Sequence, residues 1–302
     1  MKQFVARIAS LGKRTVARFG VDGLALFNAV NALTPGEGAV RRIVSGAAYG
    51  PAPRQRLDVY TTGNPAVARQ PILVFLYGGG WTSGHRQGYR FAGQALAAQG
   101  FATVIPDYRL HPAAPFPAFV EDAAAAIRWA VDHAHEFGGD PHRVVLMGHS
   151  AGAHIAMLLA LDPRWLDGAG VDRAALRGVA GLAGPYDFHP FTDVIAQRVF
   201  GAVPDPQATQ PIHYAGPHAP PLWLATGTAD IAVKPRNSRA LAAAQHAHGT
   251  AVELREYQGL DHAGIVMALA RAFRAKAPVL AEATAFLNRH LAPADTLALE
   301  RA

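Results

Sequence analysis

Cysteine is absent from all 302 residues. That absence excludes disulfide scaffolds, thiolate metal sites, thiol nucleophiles and iron–sulfur ligation together. Lysine is scarce as well, with four residues (Lys2, Lys13, Lys234, Lys276) against 24 arginines. Cations exceed acidic residues by 28 to 22, a net charge of +6 with histidine neutral. No run of four or more cations exists, and so dispersed a charge does not make a nucleic-acid-binding stripe. Charged residues are 17% of the chain and apolar ones 50%, with no low-complexity tract. A mainly disordered chain is therefore excluded. The uncharged segment Gly23–Leu33 has eleven residues and is interrupted by Asn28 and Asn31. Crossing a bilayer takes ~20 apolar residues, so no stable membrane insertion is expected there.

What is present is enough for a large core, since a chain of this length buries ~75% of the surface its unfolded form exposes. Residues 1–50 read as an N-terminal helical segment that caps or docks, and residues 51–295 as a single α/β domain. Val5, Ile8, Leu11, Val16 and Phe19 fall near helical spacing among cations. The expectation is a helix packed on the domain of a cytoplasmic chain. Export, or peripheral membrane contact through residues 1–33, is the alternative.

From residue 56 onward, short apolar runs alternate with helical stretches. Leu57–Thr62, Pro71–Leu76, Phe101–Ile105, Arg143–Met147, Gly178–Leu182, Leu222–Ala225 and Val252–Tyr257 read as strands. Gln87–Gln99, Phe119–Phe137, Ala151–Leu161, Pro235–His248 and Ile265–His290 read as helices. Strands alternating with helices of this length predict a mostly parallel sheet with helices on both faces. Continuous apolar strands such as Ile72–Leu76 suit burial on both sides. The interval 185–221, rich in Pro, Gly, Asp and His, interrupts the rhythm and reads as a small cap insertion.

Gly148-His149-Ser150-Ala151-Gly152 matches G-x-S-x-G, one of whose positions holds one of only five serines in the chain. The motif follows an apolar strand and opens a helix. A sharp turn there lifts a serine hydroxyl above the sheet, and glycines are needed where a Cβ would meet neighbouring backbone. A serine hydroxyl needs an adjacent base to act as a nucleophile. Asp230 follows the strand Leu222–Ala225, and His262 follows the strand Val252–Tyr257. Both loops lie on the same edge of a parallel sheet as the serine turn. The expected roles are Ser150 as nucleophile, His262 as base and Asp230 as the acid that orients the imidazole. Asp187 is a weaker alternative acid. Asp261 is expected in a turn, and His154 packed or capped within its helix. His133 and His135 face different ways, and His213 and His218 lie in the insertion, where they are candidates for lining a pocket.

Tyr77-Gly78-Gly79-Gly80-Trp81 follows the strand Ile72–Leu76. Its backbone N–H groups at Gly78 and Gly79, with that of Ala151, are expected to form an oxyanion hole. Trp81, His149, Tyr186, Phe188 and Phe200 are candidate substrate-pocket residues, core packing being the alternative for the aromatics.

With these residues the chain resembles the α/β-hydrolase carboxylesterases, in the bacterial branch akin to hormone-sensitive lipase, feruloyl and acetyl-xylan esterases and kynurenine formamidase. The resemblance covers about residues 55–290. It rests on the glycine loop, the serine turn, Gly227-Thr228-Ala229-Asp230, Gly259-Leu260-Asp261-His262, and Pro106-Asp107-Tyr108-Arg109-Leu110 with Phe116-Pro117-Ala118. It implies the α/β-hydrolase fold with about eight strands, a Ser–Asp–His triad, no metal and no cofactor, and hydrolysis of small acyl esters. By the same resemblance Arg109 and Asp122 are structural. Two departures stand out. Tyr77 occupies the place of the histidine thought to brace the glycine loop, and His111-Pro112-Ala113 replaces Ala-Pro-Glu. The expected function is a serine carboxylesterase acting on a small-molecule ester. An arylformamidase or amidase on the same triad is the alternative, and a non-catalytic binding module on a hydrolase fold is a third reading. The sequence leaves a homodimer open.

Overall fold

A computed structural model describes residues 27–32, 34 and 36–291 of the chain. Eight strands run in chain order: β1 (Arg41–Ala48), β2 (Arg56–Thr61), β3 (Gln70–Leu76), β4 (Ala102–Asp107), β5 (Gly139–His149), β6 (Leu176–Leu182), β7 (Leu222–Gly227) and β8 (Val252–Tyr257). They form one sheet in the order β1-β2-β4-β3-β5-β6-β7-β8. β1 pairs antiparallel with β2, and β2 with β4. Every other neighbouring pair is parallel. Parallel neighbours need crossover connections, which this chain makes with helices. The order reverses around β3, so the C-terminal ends of β3 and β5 open onto the kind of crevice where α/β sheets bind ligands.

The helices are α1 (Arg90–Ala97), α2 (Ala118–Asp132), α3 (Ala151–Leu161), α4 (Pro163–Gly168), α5 (Val194–Phe200), α6 (Arg236–Ala247), α7 (His262–Met267) and α8 (Val279–Leu291). α3 carries no charged residue and is buried along its whole length. It packs on β3, β5 and β6, which makes it the spine of the core beneath the serine turn. A helix apolar all round is stable only in such a place. Among the described residues no helix is long and apolar enough to cross a membrane.

Several expected elements are redrawn. The helical reading of residues 1–50 does not hold for Arg41–Ala48, which forms the antiparallel edge strand β1. Its alternation is broken by register shifts, one of them beside Gly46 at φ +68°. Such a bulge hides period-2 patterning from a sequence reading. Residues 27–32 are helical, and the expectations for residues 1–26 lie outside the described residues. The single helix expected over Ile265–His290 is two helices, α7 and α8, joined through a short 3-10 turn. Ala277, immediately before Pro278, is extended at φ −163° and ψ +149°. The residue preceding proline is driven out of the helical region by the ring, so the helix restarts after it. The helix expected to reach Phe137 stops at His133, whose ring stacks on Trp129 at 4.3 Å. The start of the helix expected at Gln87 is a 3-10 turn, Arg86–Tyr89.

Candidate active site

The serine turn is built from strain and close packing. Ser150 sits between β5 and α3 at φ +55° and ψ −122°. Its N–H donates to the Leu182 carbonyl at 2.8 Å, which pins the turn to β6. A Cβ at Gly152 would overlap the Leu76 carbonyl, and one at Gly148 would overlap the Gly152 backbone. Only glycine fits at either position. Among the described residues, the non-glycine residues at positive φ are Trp81, Ser150 and Ala183. They follow β3, β5 and β6 at one edge of the sheet. Strained conformations of this kind persist where the surrounding structure over-determines them, and they cluster at functional sites.

Three side chains from three loops meet above that turn. The Ser150 hydroxyl lies 2.9 Å from His262 Nε2, and His262 Nδ1 lies 2.8 Å from Asp230 Oδ2. All three residues are buried. Asp230 follows β7, and its other oxygen, Oδ1, accepts from the N–H groups of Ala232 and Val233, each at 2.9 Å. Both carboxylate oxygens are thus used, which fixes the plane of the group. His262 opens α7. Asp261 caps that helix by accepting from Gly264 N–H at 2.7 Å, so it anchors the turn that carries the imidazole. Asp187, the weaker acid candidate, instead faces Arg236 at 4.0 Å.

The glycine loop is held from below. The buried Tyr77 hydroxyl donates to Asp107 Oδ1 at 2.9 Å and accepts from Arg54 at 2.8 Å. Burial, then the Asp107 charge, holds this phenol well above its ordinary pKa, so it stays protonated. Arg54 also donates to the Gly84 and Tyr108 carbonyls, and Arg86 pairs with Asp107 and Asp58. The Tyr108 hydroxyl donates to the Tyr77 carbonyl at 2.7 Å. Gly79 (φ +142°) and Gly80 (φ +57°) hold conformations that L side chains rarely adopt. Gly78 is buried, whereas Gly79 and Gly80 are partly exposed.

A cleft of about 430 Å³ opens beside Ser150 and His262. Gly80, Trp81, Phe188, Ile195 and Ala196 form one wall, and the segment 231–237 after Asp230 forms the other. Of the expected pocket residues, Trp81 and Phe188 line it, their rings stacked 6.0 Å apart. Phe200 is fully buried and stands edge-on to Trp81 at 4.7 Å, so it supports the wall from behind. Tyr186 is fully buried too, its ring filling the space over Gly181 and Gly184, and it leaves the lining for the core. His149 is buried behind Ser150. His213 and His218 lie off the lining. His154 accepts from Trp81 Nε1 at 3.2 Å and its Nε2 lies 2.7 Å from the Thr209 carbonyl, which ties the wall to the 185–221 insertion. Burial pushes His154 down to about 4. Arg109 grips Asp122 through its backbone N–H and its guanidinium at 2.7–2.9 Å, a brace outside the cleft lining.

Sequence reasoning missed Arg54, Asp107, Tyr89 and Ile195. Asp107 lies within one of the motifs already singled out. The other three carry no local pattern, because their partners are distant in the chain.

A family model described as BD-FAE matches residues 57–244, a span that includes Ser150 and Asp230 and ends before His262. The chain is 29% identical to isoprenylcysteine alpha-carbonyl methylesterase ICME of Arabidopsis thaliana over 240 residues, covering 72% of this chain and 56% of that one. It is 32% identical to esterase LipQ of Mycobacterium tuberculosis over 236 residues, covering 71% and 56%. The match thus spans little more than half the length of these curated relatives. Among solved structures, the butyrate-bound esterase Est2 of Thermogutta terrifontis superposes with a TM-score of 0.67 at 25% identity, over 84% of this chain and 95% of that one. The family match covers more than half of the chain, and with this sheet it places the protein in the BD-FAE family of α/β-hydrolases.

Proposed function

We propose that this protein is a serine carboxylesterase that hydrolyses short-chain or aryl carboxylic esters through an acyl-enzyme. The observation that carries the reading is the hydrogen-bonded series Ser150–His262–Asp230, at 2.9 and 2.8 Å, beside a cleft that reaches the serine. The esterase names of the relatives and the butyrate in Est2 support the same bond class.

The Ser150 oxygen attacks the ester carbonyl carbon while its proton passes to His262 Nε2. Asp230 holds Nδ1–H and stabilises the imidazolium. The carbonyl oxygen becomes an oxyanion, which takes the N–H of Ala151 at the start of α3 and those of Gly78 and Gly79. Collapse breaks the bond to the alcohol oxygen, which leaves with the proton from His262. A water then gives its proton to His262 and attacks the acyl carbon. Ser150 is released with that proton, and the acid departs.

The test is turnover of p-nitrophenyl esters from acetate to decanoate by the parent and by Ser150→Ala. Short esters should be turned over, and the variant should lose ~10⁴-fold or more, as triad deletions do elsewhere. Equal turnover by a clean Ser150→Ala preparation would overturn the assignment. A formamide in the same series decides between ester and amide hydrolysis.

A further inference from the structure

We infer that His149 is a positioning residue that couples the base loop to the glycine loop through one imidazole. The inference rests on the proposed roles of Ser150 and His262. His149 immediately precedes the serine, and its Nε2 lies 3.0 Å from the His262 backbone carbonyl. Its Nδ1 lies 3.3 Å from the Tyr89 hydroxyl. The ring is buried, 5.0 Å from that of His262.

With a neutral ring, only one arrangement of protons satisfies these contacts. A carbonyl accepts, so Nε2 carries the hydrogen. Nδ1 is then an acceptor, and the Tyr89 hydroxyl donates to it. The series therefore runs from Tyr89 through His149 to the backbone of His262. Burial, then the nearby His262 ring, pushes His149 down to about 3, so it stays neutral throughout the working pH range. A Cβ at Gly78 would come within 2.9 Å of His149 Nδ1, so the loop packs directly on the ring. Buried networks of this kind hold a unique geometry only when every member is satisfied. Here the members are Tyr89, the residue before the nucleophile and the backbone of the base, with the first glycine of the loop packed on the ring. Their shared task is to keep Ser150, His262 and the loop amides in register as the oxyanion forms.

The experiment compares the full-length parent with His149→Leu, His149→Gln and Tyr89→Phe on p-nitrophenyl butyrate. His149→Leu removes both hydrogen-bonding atoms at similar volume, and Gln restores a donor and an acceptor. Misplacing reacting groups by about an ångström costs ~10²-fold, so kcat of His149→Leu should fall about 10- to 100-fold. KM should stay within about twofold, since substrate binding is untouched. His149→Gln should recover most of the loss. Tyr89→Phe should lower kcat by about 2- to 10-fold, the worth of one hydrogen bond. A parent without serine-dependent turnover overturns the function itself. With an active parent, a folded His149→Leu whose kcat is within twofold of the parent overturns the positioning role. So does a His149→Gln as slow as His149→Leu, since the effect would then come from packing. If His149→Leu does not fold, unchanged kcat in Tyr89→Phe overturns it.

Discussion

The Tyr77 hydroxyl donates to Asp107 Oδ1 at 2.9 Å, directly below the glycine loop. The strand end of β3 is thereby tied to the strand end of β4, and Arg54 closes the contact from the other side. A phenol thus braces the loop where relatives by resemblance use a histidine. Its reach spans the two strands, and burial keeps it in its donor form.

Tyr77→Phe should therefore loosen the loop without opening a cavity. Arg54 and Asp107 each lose a buried partner, at a cost of about 1–3 kcal/mol in folding free energy. Urea denaturation measures this. Ester turnover should fall with it, through kcat more than KM.

Asp230→Asn should lower kcat by about 10³- to 10⁴-fold. The Asn amide oxygen can keep the contacts to Ala232 and Val233, so the loop survives. Its NH₂ group then faces His262 Nδ1 and favours the tautomer whose hydrogen sits on Nε2. That tautomer cannot accept the Ser150 proton. Single-turnover kinetics with a folded variant checks the prediction.

Acid should destabilise the fold through two histidines that are neutral and buried, His149 and His154. Their folded values lie at about 3 and about 4, below the ~6.5 of an unfolded histidine. The stabilisation is complete above about 6.5 and declines as pH falls, because the unfolded chain binds protons that the native state excludes. Each histidine contributes about 1.4 kcal/mol per pH unit in that window. Urea midpoints between pH 7.5 and 4.5 should show the decline. His154→Gln should make it shallower by about one proton, and an unchanged slope would count against the assignment.

Phe188→Ala should widen the cleft along Trp81. The preference among p-nitrophenyl esters should move toward longer acyl chains, with the hexanoate-to-acetate ratio of kcat/KM rising about tenfold. One methylene in an apolar pocket is worth ~1–3 kcal/mol, which bounds the effect. A ratio that does not move would place the acyl chain against the opposite wall.

Much of this molecule is written in local order along the chain. Apolar runs of strand length, each followed within two residues by Gly or Asp, announce the parallel sheet and the loops at its C-terminal edge. The order Ser150, Asp230, His262 along three such loops predicted which side chains would face one another, because parallel strands present their ends on one side. Pro278 stood in view inside a periodic stretch, yet periodicity alone joined α7 to α8 across it.

Only the tertiary structure decided the rest. Edge strand β1 is hidden by its bulges, and its pairing with β2 shows it. Tyr186 and Phe188 stand two residues apart with similar character, and their packing alone sends one to the core and the other to the cleft. The ties among Tyr77, Asp107 and Arg54, and among Tyr89, His149 and His262, join residues tens of positions apart. Hydrophobic period is a property of neighbours in sequence, so it is legible there. The satisfaction of a buried polar group depends on whichever distant backbone or side chain the fold brings within about 3 Å, and only folding selects it.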